Sequence, residues 1–233
     1  ATEFISGFGF HVEPVLLKLI LPVGISFYTF HGLSYIIDVY YKRIKTEKNF
    51  IDYSLFVSYF PLLVAGPIER ATHLLPQLKV KREFDFEKAK EGIYQIVWGL
   101  VKKVVIADRV GMMVDHNFSH AGSSSSLALS ASLFFYYFQV YCDFSGYSDI
   151  ALGAAKAMNI NLMENFNQPI LSRNISEFWR RWHITVSQWI RDYLFTPLWM
   201  RHRTRLGGGL VADSEGLVGV GDRIGAAGLG LAD

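Results

Sequence analysis

Residues 176–197 read SEFWRRWHITVSQWIRDYLFTP, a stretch in which arginines, one histidine and one aspartate are set among tryptophans. In helical phase Phe178, Trp182, Val186, Trp189 and Tyr193 recur at three- and four-residue steps and form one apolar stripe. Asn174, with Glu177 three residues on, resembles a capping box with Asn in place of Ser or Thr, so the pattern predicts a helix over 176–194 that starts near Ile175. His183 falls off the stripe, with Trp179, Ser187 and Ile190 as its neighbours at helical spacing. Arg180, Arg181, Arg191 and Asp192 are able to reach headgroups, phosphates or carboxylates. A histidine is the side chain best suited to take a proton from a hydroxyl near neutral pH, which makes His183 a candidate general base in acyl or phosphoryl transfer. The alternative is a buried histidine that only hydrogen-bonds a backbone carbonyl. The balance turns on the solvent, because ionisable groups at membrane depth are costly and point to function.

Composition favours the membrane. Charged residues make up 19% of the chain where a soluble domain carries about a quarter, 15% are aromatic, and mean hydropathy is positive. Leu19 to Ile37 contains no charge and is just long enough as a helix to cross about 30 Å of hydrocarbon. Pro22, Gly24 and His31 within it are tolerable where a membrane helix packs against protein. Tyr40 and Tyr41 follow, then Lys42, Arg43, Lys45 and Lys48, an aromatic anchor and basic cluster that put this end on the cytoplasmic side. The run Tyr53–Ile68 is short, is broken by Pro61, Gly66 and Pro67, and has basic flanks at both ends. It reads as a re-entrant segment lining an internal cavity.

From Lys79 to Lys103 mixed charges ride on a helical pattern that turns apolar around Ile93, Val97, Leu100 and Val101, as in an interfacial helix or a bundle edge. His116 and His120 are four apart, a spacing that suits two metal ligands, but no carboxylate or cysteine completes a set, so no metal site is assigned. Leu127 to Cys142 is uncharged and aromatic, and Asp143 and Asp149 interrupt the apolar pattern that follows. These carboxylates need partners, and the arginines of 176–194 are the natural ones. Asp143 is read equally as a cap at a helix break and as a direct catalytic group, with the segment bending where the polar groups gather. The single cysteine, Cys142, excludes an intramolecular disulfide and reads as an inert buried thiol. No phosphate-binding glycine loop, zinc spacing or nucleophile elbow is present, and a net charge of +2 gives no footprint for nucleic acid.

Four stretches carry a resemblance: ILPVGISFYTFHGLSYIIDVYY at 20–41, FPLLVAGPIER at 60–70, YCDFSGYSDIALG at 141–153 and NFNQPILSRNISEFWRRWHITVSQWIRDYLFTPL at 165–198. Over roughly residues 15–200 the chain resembles the membrane-bound O-acyltransferase family, and within it the bacterial branch that acetylates exported polysaccharides such as alginate. The resemblance implies an all-α, multi-pass transmembrane helical bundle with re-entrant segments around a water-accessible channel in the bacterial inner membrane. It implies an O-acetyltransferase with no bound cofactor, which takes an acetyl group from a cytoplasmic donor, acetyl-CoA, and passes it to polysaccharide hydroxyls directly or through periplasmic partner proteins. Lipid surrounds such a protein. His183 matches the histidine of the family's arginine-rich motif and is expected to be catalytic. Arg180, Arg181, Trp182 and Arg191 are expected to hold donor phosphates or an acceptor carboxylate, and Asp143 and Asp149 to orient polar groups in the channel. Another acceptor, a teichoic acid or a lipid, and a non-catalytic channel or transporter subunit are the rival readings.

The sequence departs from the family pattern in two respects. Family members are considerably longer, and this chain begins at Ala1 without an initiator methionine, so a partial acyltransferase domain over 1–200 that is incomplete at both ends is expected. The family's second histidine, in a W-H-G setting beyond the first motif, has no match. After Arg201 the chain is crowded with glycine and has no aromatic residue or proline, so 201–233 is expected to be a weakly ordered tail read out of its original frame.

Overall fold

A computed structural model describes residues 24–200, and every regular element among them is helical. Helix α1 spans Ile25–Tyr40 and α2 spans Phe50–Val57, started by Asn49, whose Oδ1 accepts from the Ile51 amide at 3.0 Å. Pro61 opens a single 3-10 turn at Phe60–Leu62, after which the chain runs without regular structure to α3, Ala71–Lys79. Asp85 caps α4, Phe86–Leu100, through the Lys88 amide at 3.1 Å. The chain then widens into π-helical turns over Val101–Ala107 and continues as α5, Asp108–Ser119. Ser125 caps the long α6, Ser126–Ala157.

Helices α4 and α6 run antiparallel and meet through glycines seven residues apart on each. A Cβ on Gly92 would lie 2.5 Å from the Gly153 carbonyl oxygen, and one on Gly99 would lie 2.6 Å from that of Gly146. Only glycine permits so close an approach of two backbones. Just beyond this crossing the π-helical turns direct two consecutive lysines onto α6. Lys102 pairs with Asp149 and Lys103 with Asp143 at 2.5 Å. The long helix is therefore continuous through Asp143, which pairs with Lys103 and is no cap; the expected break does not occur. The carboxylates also find lysines of the neighbouring segment in place of the arginines of 176–194, because those lysines are already on the abutting helix.

One core gathers Tyr35, Phe56, Leu62, Leu74 and Leu75 around Ala155 and Ile160. A second joins Ile68, Trp189 and Tyr193, with Phe27, Phe30 and Val186 against it. The outer faces are apolar as well: Ile93, Val97, Leu133 and Phe134 are all more than half exposed. No helix among the described residues is long and apolar enough to cross a membrane; α6 has the length but carries Asp143, Asp149 and Lys156. Of the expected span at 19–37, residues 19–23 lie outside the described region, as does the tail over 201–233.

Candidate active site

The expected single helix over 176–194 is broken. Helix α7, Ile175–Arg181, starts where expected, with Asn174 Oδ1 accepting from the Glu177 amide at 2.8 Å, while the Glu177 carboxylate reaches back to the Arg173 amide. It ends at Trp182, and a new helix, α8, runs from Ile184 to Ile190 before π-helical turns at Arg191–Phe195. His183 sits at the junction with φ 44° and ψ 54°, in the left-handed region that few non-glycine residues enter. The reason lies in packing: the two halves of the apolar stripe are buried in different places. Phe178 stacks on Trp182 with ring centroids 5.5 Å apart, among Tyr137, Tyr141 and Phe166. Val186, Trp189 and Tyr193 join the core around Ile68. A straight helix cannot reach both.

Buried polar groups hold the corner on both sides. The Asn165 backbone carbonyl accepts from the Ile184 amide at 2.9 Å, and its side-chain Oδ1 accepts from the Thr185 hydroxyl at 2.9 Å. The Thr185 Oγ1 in turn accepts from the Ile68 amide at 3.0 Å. Ahead of the corner, the Asn167 amide donates to the Arg181 carbonyl at 2.9 Å. Asn165 and Thr185 are buried, so the loop at 165–167 and the segment ending at Ile68 clamp the histidine's backbone. Next to Ile68, the fully buried Glu69 takes hydrogen bonds from His73 Nδ1 at 2.6 Å and from the Met163 amide. The Glu69 amide donates to Nε2 of the buried His31.

The imidazole of His183 stands edge-on to Phe144 with ring centroids 4.7 Å apart. Its Nε2 is buried without a hydrogen-bond partner among the described residues. Burial lowers its pKa from 6.5 to about 4, so the ring is neutral at physiological pH. A buried ring nitrogen with nothing to bond costs roughly 1–3 kcal/mol. A cavity of about 610 Å³ shares Tyr141 and Phe166 with the ring cluster around Trp182 and is lined also by Trp98, Lys102, Ser145 and Asp149; His183 is not among its lining residues.

Of the predicted site residues, only His183 and Trp182 are brought together. Arg181 is held by Glu177 at 2.6 Å, and Arg191 by Asp192 at 2.9 Å, with Arg70 on the other oxygen of Asp192. Arg180 is exposed with no acidic partner among the described residues. Asp143 and Asp149 belong to the lysine pairs on α6, and Asp149 borders the cavity. His116 and His120 are four apart, with the His120 ring nitrogen 2.9 Å from the His116 carbonyl; among the described residues no three His, Cys, Asp or Glu side chains form a cluster able to hold a metal. Sequence reasoning missed Asn165, Thr185, Glu69 and Phe144. All four lie in the quoted motifs; for Asn165, Thr185 and Glu69 the available signal was a polar residue embedded in an apolar motif, while Phe144 carried none.

The match to known proteins falls on this same region. Residues 38–210 match the model of the membrane-bound O-acyltransferase family. The chain belongs to that family. It is similar to a probable alginate O-acetylase of Pseudomonas aeruginosa, at 46% identity over 84% of this chain and 37% of that protein. It is also similar to a peptidoglycan O-acetyltransferase of Helicobacter pylori, at 39% identity over 78% of this chain and 40% of the relative. A teichoic acid D-alanyltransferase of Bacillus subtilis is 31% identical over 76% of this chain and 46% of the relative. The chain thus spans less than half the length of these family members. The Trp182–His183 corner and the Asn165, Thr185 and Ile68 groups that clamp it all lie within the matched residues.

Proposed function

We propose that this chain carries part of an O-acetyltransferase that moves an acetyl group from a cytoplasmic thioester donor, acetyl-CoA, to hydroxyls of an exported polysaccharide such as alginate. The observation that carries the reading is the His183 imidazole, held in a left-handed corner with a buried, unpartnered Nε2. In the reaction Nε2 accepts the proton of the acceptor hydroxyl as that oxygen attacks the acetyl carbonyl carbon. A C–O bond forms, the C–S bond breaks, and the proton passes from His183 to the departing thiolate. Phe144 against the ring and the aromatic cluster around Trp182 would limit the access of water, which would otherwise hydrolyse the thioester. Arg180, free of acidic partners among the described residues, is the best placed of the predicted cations for donor phosphates; Arg181 and Arg191 first serve Glu177 and Asp192.

The protein acts in the bacterial inner membrane as part of a multi-pass bundle, with periplasmic acetylation proteins as partners. The exposed apolar faces of α4 and α6 support this, as does the broken run Tyr53–Ile68, which suits a re-entrant stretch packed within protein. The relatives that act on peptidoglycan and teichoic acid make those polymers the alternative acceptors. The test is the acetyl content of exported polysaccharide in cells carrying the intact gene, a His183→Ala gene or none. Loss of acetyl ester with His183→Ala at unchanged protein level supports the reading. Unchanged acetylation, or acetyl loss confined to wall polymers, rejects the base role or the acceptor respectively.

A further inference from the structure

The loop that leaves α1 is built as a cation cage with an apolar approach. Lys42 enters the left-handed region at φ 58°, and the chain is fastened from inside: the Arg43 amide donates to the Asp38 carbonyl at 2.8 Å and its guanidinium to the buried Asp38 carboxylate at 3.2 Å. Farther on, the Glu47 amide donates to the Tyr35 hydroxyl at 2.8 Å. Glu47, the loop's own acid, is taken by Lys79, whose ammonium holds that carboxyl below its usual range. Lys42, Lys45 and Lys48 remain exposed, with no acidic partner among the described residues. Together with Arg43 and Thr46 they line a concavity of about 580 Å³. Leading up to it, Leu33, Ile36 and Tyr40 lie at i, i+3 and i+7 on α1, with exposure rising from 43% to 60% to 78%.

We infer that this loop and stripe form a binding site for an anionic phospholipid. The phosphodiester sits among Lys42, Lys45 and Lys48, and the acyl chains lie along Leu33 and Ile36 with Tyr40 at the interface. Charge complementarity selects an anionic headgroup, and the continuous apolar stripe selects a lipid over a soluble phosphate. The inference shares with the proposed function only the membrane setting; the acetyl-transfer chemistry does not enter it.

Native mass spectrometry of the full chain, released from detergent with equal amounts of phosphatidylglycerol and phosphatidylcholine, tests it. Phosphatidylglycerol is expected to be retained in preference, and the preference to fall roughly fivefold per lysine in K42Q, K45Q and K48Q and to vanish in the triple variant. The K81Q/K90Q variant, which removes charge elsewhere, should keep it, and Ile36→Ser should weaken retention of both lipids. Equal retention of the two lipids by the native chain overturns the inference. So does an undiminished preference in the triple variant while circular dichroism reports an intact helical fold, and so does an equal loss in K81Q/K90Q. Displacement of phosphatidylglycerol by millimolar inorganic phosphate, with no effect of Ile36→Ser, would reassign the loop to soluble phosphates and also overturn it. Acetyl transfer assayed on the same variants separates the two readings, since a failed transfer with the lipid preference intact bears on the proposed acetyl transfer and leaves the lipid site standing.

Discussion

His183 combines two features that rarely coincide, a left-handed backbone and a buried ring nitrogen without a partner. Its folded-state pKa lies below the ordinary 6.5, so acidification from 6.5 towards 4 protonates the unfolded chain first and lowers stability over that window. With His183 as the proposed base, transfer is expected to stay flat down to about pH 5 and to fall as pH drops through about 4. A pH–rate profile with its acid limb near 6.5 would contradict this. Asn tolerates the left-handed region, so His183→Asn should keep the fold and lose transfer. The clamp is tested through Thr185. Thr185→Val removes the hydroxyl that joins Ile68 to Asn165 and strands the Ile68 amide, at a cost of roughly 1–3 kcal/mol; Thr185→Ser keeps the hydroxyl and should recover most of the loss. Thermal unfolding measures the stability, and the kcat of the pair reports whether the corner aims the imidazole. Equal kcat in the two variants would leave Thr185 with a structural role only.

At the scale of elements, the crossing of α4 and α6 decides where the lysines and carboxylates meet. Gly99→Ala would drive a Cβ to 2.6 Å from the Gly146 oxygen, with Ile150 also in the way, so the helices must part; a loss of about 1–3 kcal/mol is expected in thermal unfolding. Gly122→Ala has nothing within 4 Å and should be near neutral, which makes it the control. Parting the helices also loosens Lys102 from Asp149 on the cavity wall. The glycine spacing is visible in the sequence but carries no meaning there, because a seven-residue repeat of small residues on one segment says nothing until its partner segment is known. By contrast, the start of α7 was legible: Asn174 and Glu177 act locally, within one turn.

Across the whole molecule, distant segments are tied by a few buried polar contacts. The Tyr193 hydroxyl donates to the Asp38 carboxylate at 2.7 Å across 155 positions, while Arg70 lies 4.7 Å over the Tyr193 ring and pairs with Asp192. Tyr193→Phe keeps the ring and loses a hydrogen bond to a charged group, so a destabilisation of about 1.5–3 kcal/mol is expected by denaturant unfolding. A change within a few tenths of zero would mean that Arg43 alone satisfies Asp38. This junction joins α1, the start of α3 and the chain beyond α8, and it anchors from one side the helix that begins at His183.

The sequence by itself determined the helical class and the family, because apolar periodicity, local caps and the short motifs around 60–70, 141–153 and 165–198 are properties of contiguous residues. It did not determine the break at His183, the lysine partners of Asp143 and Asp149, or the clamp of Asn165 and Thr185. Periodicity treated Phe178 to Tyr193 as one stripe and one helix, and charge counting paired the aspartates with the arginine-rich motif. Both inferences stop at the segment. Only the tertiary structure decides which core receives each half of a stripe and which cation stands opposite a carboxylate, since those are set by the close packing of α4 on α6 and by two separate cores that residues far apart in the chain build together.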